Sequence, residues 1–545
     1  MAATPMTGGE ALVRSLHTEG VRVVFGLPGV QLYGVMAALR REPRIRFINT
    51  RHEQATTFMA DGYARAGGGF GTALVVPGPG LLNAMSGLST AYSASSPVLV
   101  VAGQVPRDSI GKDIGLLHEV NDQLDCIAPV TKWRRRVLAV AEVPAAVREA
   151  VRQLRSGRPR PVEIEMSPET MEDEGLVELL PPAEVAPAVA PARDIDRAAE
   201  LLLAARAPMI YAGGGVHLSG AHDALGAVAE HLQAGVAQSP EGKGAVSDHN
   251  ALSLGAAFWR DSPLRAHLHE ADVVLAVGSR LALVSFKPGT RIIQVDADER
   301  EIGRNHRDTQ GLVGDARVTL EALLERLRAA SGPRPSRKSE HDALRARIAA
   351  DNTMEPNASI IRSLRAGVPE NAVLVAGMTQ IGYYSRPFWP VYEPRTYLTS
   401  SYSGNLGYAY PVALGAKVAR PDRPVVSVSG DGGFLFNAQE LSTAVRFGIS
   451  VVAVVFNDNS YGNVARDLDE SWGGQYGAEL ANPDFMKLAD AFGVLGLRAK
   501  EPTEVGRLVR QAIEADRPAL VEVPVGRMGR PRFFAPPRTP LTHAR

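Results

Sequence analysis

Asp431 and Asp458 are the residues of this sequence best placed to do chemistry. The first lies in Gly430-Asp431-Gly432-Gly433 and the second, 27 residues later, in Asn457-Asp458-Asn459. Each follows an apolar run, residues 425–428 and 451–456, of the kind expected for parallel strands buried on both faces. An amphipathic stretch between them, residues 434–447, completes a strand–turn–helix–strand unit. Ligands of such sheets sit outside the carboxyl ends of the strands. Two hard oxygen ligands arriving from adjacent strand ends suit Mg²⁺. The glycines let backbone N–H groups approach a phosphate, and a helix N-terminus expected at Phe434 adds favourable potential. The stretch is expected to hold a metal and a diphosphate. Two further groups stand apart in sequence. Glu53 follows an apolar run and opens a helical segment, where a carboxylate by itself only complements the helix dipole. His118 in Leu117-His118-Glu119 carries the side chain most apt to exchange a proton near neutral pH.

Positioning these groups requires alternating strands and helices. Residues 21–26, 45–50, 71–76 and 98–103 read as strands, with helices expected over 54–66 and 85–94 between them. A second series has strands at 208–212, 273–278 and 292–295, followed by Gly213-Gly214-Gly215, Ser279-Arg280 and Asp296. Pro/Ala-rich residues 181–191 and Pro/Ser/basic residues 329–340 read as linkers. The expected fold class is α/β, with three doubly wound parallel-sheet domains at 1–180, 194–328 and 343–545. The Pro- and Arg-rich residues 526–545 are expected to be a partly ordered tail.

Composition excludes several classes. Lys and Arg number 59 against 59 Asp and Glu, so net charge gives no argument for nucleic acid or an anionic membrane. No aromatic residue interleaves Arg134-Arg135-Arg136, which reads as a solvated face. Residues 466–470 read as a mobile charged segment. No apolar run approaches the ~20 residues of a membrane span. The first 16 residues lack an apolar core behind a basic stretch, so no signal peptide is expected and a cytoplasmic location is. Cys126, the single cysteine, excludes an internal disulfide and is expected to be a buried, inert thiol.

Residues 430–463 resemble the thiamine-diphosphate signature of the acetolactate synthase, pyruvate decarboxylase and 2-oxo acid decarboxylase superfamily. Nearly the whole chain follows that family's order: pyrimidine-binding, central and diphosphate-binding domains. The resemblance implies thiamine diphosphate and Mg²⁺ as cofactors, with Asp431, Asp458 and the Ser460 carbonyl as metal ligands. The second ligand is usually Asn in the family, so Asp458 makes this site one charge more negative. It further implies cofactor contacts from Met378, Thr379, Gln380, Gly404, Gly430, Gly432, Gly433, Tyr461 and Gly462. Leu406 matches the apolar wedge that bends the cofactor. Glu53, in Arg51-His52-Glu53-Gln54, matches the carboxylate beside N1′ of the pyrimidine, which relays the proton leaving the thiazolium C2. The resulting carbon nucleophile attacks a 2-oxo acid, and the cofactor acts as electron sink for loss of CO₂.

On the substrate side the resemblance points to Val30, Leu117, His118, Asn463 and Val464. Val30 and Val464 stand where decarboxylases of the family carry polar or acidic groups. An apolar pocket lets the acyl intermediate persist and attack a second carbonyl, which favours carboligation. His118 occupies the place of a catalytic His or Gln in relatives. Val284 stands where acetolactate synthases have an Arg for the second 2-oxo acid, which argues against a strict acetolactate synthase. The alternatives are a decarboxylase releasing an aldehyde and an FAD-dependent oxidase using Gly213–Gly215 and Arg280; FAD is not favoured. A non-catalytic binding module would be expected to lack Glu53 or Asp431, and both are present. The resemblance also implies a homodimer or homotetramer with active sites shared between subunits, acting on a small 2-oxo acid.

Overall fold

The computed structural model describes residues 3–257 and 261–530. Three six-stranded sheets dominate it. Their pairings are parallel, and nearly every central strand residue is buried, as sheets covered by helices on both faces require. In the first sheet the spatial order is Arg46–Asn49, Val23–Gly26, Gly71–Val75, Val98–Gly103, Val162–Met166, Trp133–Val137. The third sheet repeats that order of connection with Tyr397–Thr399, Val373–Ala376, Val425–Gly430, Val451–Asn457, Ala519–Pro524 and Leu495–Arg498. In both, the chain runs from its first strand to the edge, then returns past the first strand. That reversal opens a crevice at the carboxyl ends, the switch point where such sheets bind ligands. The central sheet differs: Ser253–Ala256, Gly235–Gln238, Pro208–Ala212, Val273–Val277, Arg291–Asp296, Thr309–Val313, the order of dinucleotide-binding folds.

The chain packs as two compact units. One comprises residues 1–186, 400–425 and 435–451; the other comprises 187–399, 426–434 and 452–545. In the first unit the Glu53–Tyr63 helix packs on the Ala409–Ala419 helix. The contact is backbone to backbone. A Cβ on Gly62 would lie 2.0 Å from the Val412 carbonyl oxygen, and one on Gly415 would lie 1.9 Å from that of Met59. In the second unit Ile361, Leu364, Val428, Val454, Val509 and Val521 share one core, and the central sheet has its own.

Several expectations are corrected. Residues 434–447 do not form one helix: a single turn, Asp431–Phe434, is followed by a 3₁₀ turn, Ala438–Glu440, and a helix, Leu441–Phe447. The helical turn therefore begins at Asp431, not Phe434. The helix expected from residue 85 begins at Pro79, because proline is favoured in a first helical turn. The arginine run is a strand, Trp133–Val137; Arg134 and Arg136 stand in register with Glu163 and Glu165 of the neighbouring strand, and Arg136 pairs with the buried Glu165. Residues 466–470 lie in the Gly462–Trp472 helix, where Arg466 is buried and pairs with Asp467. The second linker shortens to residues 331–337, since helices Ala316–Ala330 and Lys338–Ala350 extend into it. Cys126 is half-buried, near the end of a five-residue helix. The tail expected over 526–545 lies outside the described residues beyond 530. Among the described residues, no helix is long and apolar enough to cross a membrane.

The backbone contact between the two helices gives a direct test. Gly62→Ala or Gly415→Ala is expected to cost about 1–3 kcal/mol by forcing the helices apart. Gly226→Ala, in a helix with nothing near the added Cβ, is expected to be neutral or stabilising by about 0.5–1 kcal/mol. Thermal unfolding of the three variants checks the contrast.

Candidate cofactor and metal site

Asp431 directly follows the Val425–Gly430 strand and is 1% exposed. Asp458 follows the next strand, Val451–Asn457. The two carboxylates are neighbours. Burial lifts the Asp458 carboxyl to about 6, and the Asp431 charge adds to the rise. Burial likewise raises Asp431. Gly462 is what allows Asp458 to fold back onto the turn, because a Cβ there would lie 2.3 Å from its Oδ2. Ser460 N–H donates to Asp458 Oδ1 at 3.2 Å, and the Ser460 hydroxyl donates to the Ala478 carbonyl at 3.0 Å.

Asn482 completes this cluster. Its Nδ2 donates to Asp431 Oδ2 at 2.6 Å and lies 2.9 Å from Asn457 Oδ1 and 3.2 Å from Asn459 Oδ1. The chain reaches it by turning back on itself: Tyr461 N–H bonds the Ala478 carbonyl and Leu480 N–H bonds the Asn459 carbonyl, both at 2.8 Å. Asn457 is anchored in turn on Glu522 at 2.9 Å. Sequence reasoning missed Asn482; the only local signal was the turn-forming Asn482-Pro483 pair. Among the described residues, no three His, Cys, Asp or Glu side chains form a metal cluster. A cation between Asp431 and Asp458 would therefore complete its shell with backbone, water and ligand oxygens, which is how Mg²⁺ sits with phosphates. The donor set fits that ion.

The switch point of the third sheet brings the other diphosphate candidates to the same strand ends. Gly377 N–H bonds the Val428 carbonyl at 2.8 Å, and Thr379 Oγ1 lies 3.4 Å from where a Cβ on Gly430 would stand. Met378 and Thr379 are half-buried beside the Gly430–Gly433 turn. Gln380, buried, opens the Gln380–Phe388 helix and hydrogen-bonds Asn463, which also bonds Tyr383. Tyr461 lies against Gly432. Val464 is 54% exposed on the helix that Gly462 begins.

Glu53, Leu406 and His118 belong to the other unit. Glu53 opens its helix behind the His52 cap, and its Oε2 accepts from Asn83 Nδ2 at 3.0 Å. Asn83 lies on the Pro79–Ala94 helix. Asn405 donates to Ser86 O, Ser89 Oγ and Thr90 Oγ1 at 2.7–3.0 Å, so the same helix fixes the Gly404–Gly407 turn around Leu406. The fully buried Asn437 ties the two together: it accepts from Gln54 at 3.0 Å and donates to the Gly407 carbonyl at 2.7 Å. Glu440 accepts from Arg51 N–H at 3.0 Å and from the Thr443 hydroxyl at 2.6 Å, and burial pushes its carboxyl up to about 7. Asn83, Asn437 and Glu440 had no sequence signal, because their partners lie tens to hundreds of residues away. Val30 and Leu117 are 51% and 63% exposed, and His118 is half-buried.

These burials set a pH dependence. The folded state holds protons on Asp431, Asp458 and Glu440 to higher pH than the unfolded chain does. Stability of the metal-free protein therefore falls as pH rises from the usual carboxylate range through about 6 for Asp458 and about 7 for Glu440. Asp458→Asn and Glu440→Gln are each expected to flatten that fall, measured as unfolding midpoints of metal-free protein across pH 4 to 8.

Comparison with known proteins gives the family. Residues 6–126 match the family model for the thiamine pyrophosphate enzyme N-terminal TPP binding domain. Residues 195–323 match the central domain, and residues 377–523 the C-terminal TPP binding domain. A probable acetolactate synthase large subunit of Methanococcus aeolicus is 31% identical, covering 95% of this chain and 92% of that protein. A probable 2-ketoarginine decarboxylase of Pseudomonas aeruginosa is 35% identical, covering 95% and 94%. The acetolactate synthase isozyme 3 large subunit of Escherichia coli is 32% identical, covering 94% and 93%. With three matched domains in order and relatives aligned over nearly their whole length, the chain belongs to the thiamine pyrophosphate enzymes.

Proposed function

We propose that this thiamine-diphosphate enzyme decarboxylates a 2-oxo acid and joins the acyl unit left behind to an acceptor carbonyl, with Mg²⁺ as its metal. The observation that carries the reading is the apolar character of Val30 and of Val464, at positions that the resemblance assigns to the substrate. Both are more than half exposed and neither can give a proton to the acyl unit before an acceptor arrives. Acetolactate synthases among the relatives support it.

In this reading Asp431, Asp458 and the Ser460 carbonyl hold Mg²⁺. The glycines at 430, 432 and 433, with Met378, Thr379, Gln380, Tyr461 and Gly462, receive the diphosphate, and Gly404 and Leu406 shape the turn against which the cofactor bends. Bound there, thiamine diphosphate supplies the carbon nucleophile and the electron sink. Glu53 would hold and return a proton at the pyrimidine N1′, and Asn83 occupies its Oε2, which leaves Oε1 for that exchange. Asn463, held by Gln380, and Leu117 line the substrate side. His118 moves a proton at the substrate oxygen.

A second reading, release of an aldehyde, is favoured by His118 itself, since a proton donor at the substrate ends the reaction early; the 2-ketoarginine decarboxylase relative is consistent with it. Val284 bears on the acceptor: it is 7% exposed in the core of the central domain and offers no charge to a second 2-oxo acid. A flavin reading gains nothing from Gly213 and Gly215, which are packed against the backbone of Gly278. We further propose a cytoplasmic homodimer or homotetramer in which Glu53 of one subunit and Asp431 of another serve one cofactor.

Incubation with a panel of 2-oxo acids, thiamine diphosphate and Mg²⁺ is expected to release CO₂ and yield 2-hydroxy ketone or acetohydroxy acid products; aldehyde alone would favour the second reading, and no CO₂ from any acid would end both. Glu53→Gln and Asp431→Ala are each expected to lower turnover by at least about 10²-fold. Mixing the two inactive variants under subunit exchange is expected to restore part of the activity, and no recovery despite proven exchange would exclude shared sites.

A further inference from the structure

Gln31 bridges to the loop that carries His118, and the bridge fixes more than position. Gln31 is 6% exposed. Its Nε2 donates to the Leu117 carbonyl at 3.1 Å, and its Oε1 stands 3.0 Å from His118 Nδ1. The Leu117 carbonyl decides which way the amide points. Turned over, Gln31 would oppose its own oxygen to that carbonyl, acceptor against acceptor. With Oε1 toward the ring, a hydrogen bond requires the proton on Nδ1. A neutral imidazole protonated on Nδ1 has Nε2 as its lone-pair nitrogen.

The loop around the ring is held independently. His118 has φ +68, in the left-handed region that a side chain other than glycine rarely adopts. Its carbonyl lies against Gly78, where a Cβ would come within 2.2 Å. Glu119 Oε2 accepts from the N–H groups of Ile114, Gly115 and Leu116 at 3.1, 2.8 and 2.9 Å, which closes the preceding turn on itself. Uncommon backbone held this firmly is characteristic of functional loops. Backbone contacts thus place the residue, while Gln31 is the group that touches the ring nitrogen.

We propose that Gln31 is a positioning residue that holds neutral His118 in the Nδ1–H tautomer, so that Nε2 is the nitrogen that exchanges a proton. This rests on the role given to His118 above. When the imidazolium gives up the Nε2 proton, the ring returns to the Nδ1–H form with its bond to Gln31 unbroken. The transfer needs no other reactant.

The test is a two-bond ¹H–¹⁵N correlation spectrum of the full-length protein labelled at histidine, recorded at alkaline pH, with His118 assigned by its loss in His118→Asn. The expected spectrum shows protonated Nδ1 and unprotonated Nε2 in the wild type. Gln31→Leu is expected to give a mixture of tautomers. Gln31→Glu, which loses the donor to the Leu117 carbonyl but keeps an acceptor beside Nδ1, is expected to retain the Nδ1 proton. In parallel, Gln31→Leu should lower kcat by about tenfold or more with KM within about twofold, and Gln31→Glu should recover most of that loss. An Nε2–H pattern in the wild type, or an unchanged pattern in Gln31→Leu, would overturn the proposal. The expected spectra together with full turnover in His118→Asn would support the tautomer assignment and remove His118 from the reaction.

Discussion

Two neighbouring carboxylates, Asp431 buried and Asp458 half-buried, are the constraint around which the diphosphate end of this protein is built. Asp431 and Asp458 leave adjacent parallel strands, and each loses water by doing so. Like charges at short range in a poorly hydrated site repel, and the protein offers them amides and backbone N–H groups; among the described residues neither forms an ion pair. Asn482 and Ser460 satisfy some of the lone pairs, and protonation relieves the rest only on the acid side of neutrality. The Mg²⁺ proposed for this site would resolve the conflict at working pH. The returning segment that carries Asn482 and the glycine at 462 follow from the need to hold these two groups still.

The surroundings of Glu53 depend on backbone contact and hydrogen bonds instead of repelling charges. Glu53 sits on a helix that meets the Ala409–Ala419 helix through Gly62 and Gly415, with no side chain between. Its first turn is gripped by Glu440 and Asn437, and its carboxylate by Asn83. The turn around Leu406 hangs, through Asn405 and Gly407, from the Pro79–Ala94 helix that carries Asn83 and from the same Asn437. Leu406 and Glu53, the residues proposed as wedge and proton-relay carboxylate, therefore share supports. Such supporting contacts hold reactive groups to the fractions of an ångström that catalysis needs.

What could be read in advance follows from the range of the interactions. Asp431, Asp458 and the glycine turn were legible because apolar strands and polar turns are local patterns, and the parallel α/β fold followed from their alternation. Glu53 and Leu406 were recognisable only by resemblance, since alone each has an ordinary structural explanation. Asn482, Asn437, Glu440 and Gln31 were invisible: each acts on a partner from 30 to 389 residues away, and an isolated Asn, Gln or Glu in sequence carries no mark of that. The continuous helix expected over 434–447 failed for a related reason. Glu440 and Asn437 turn inward to serve residues 51–54, and the chain breaks its helix to let them.

The proposed chemistry requires Mg²⁺ and diphosphate to meet at Asp431. The most direct measurement is a titration of the cofactor-free chain with thiamine diphosphate, followed by tryptophan fluorescence, with and without Mg²⁺. Saturable binding that requires Mg²⁺ and disappears in Asp431→Ala is the predicted result. Equal binding without the metal, or undiminished binding by Asp431→Ala, would contradict it.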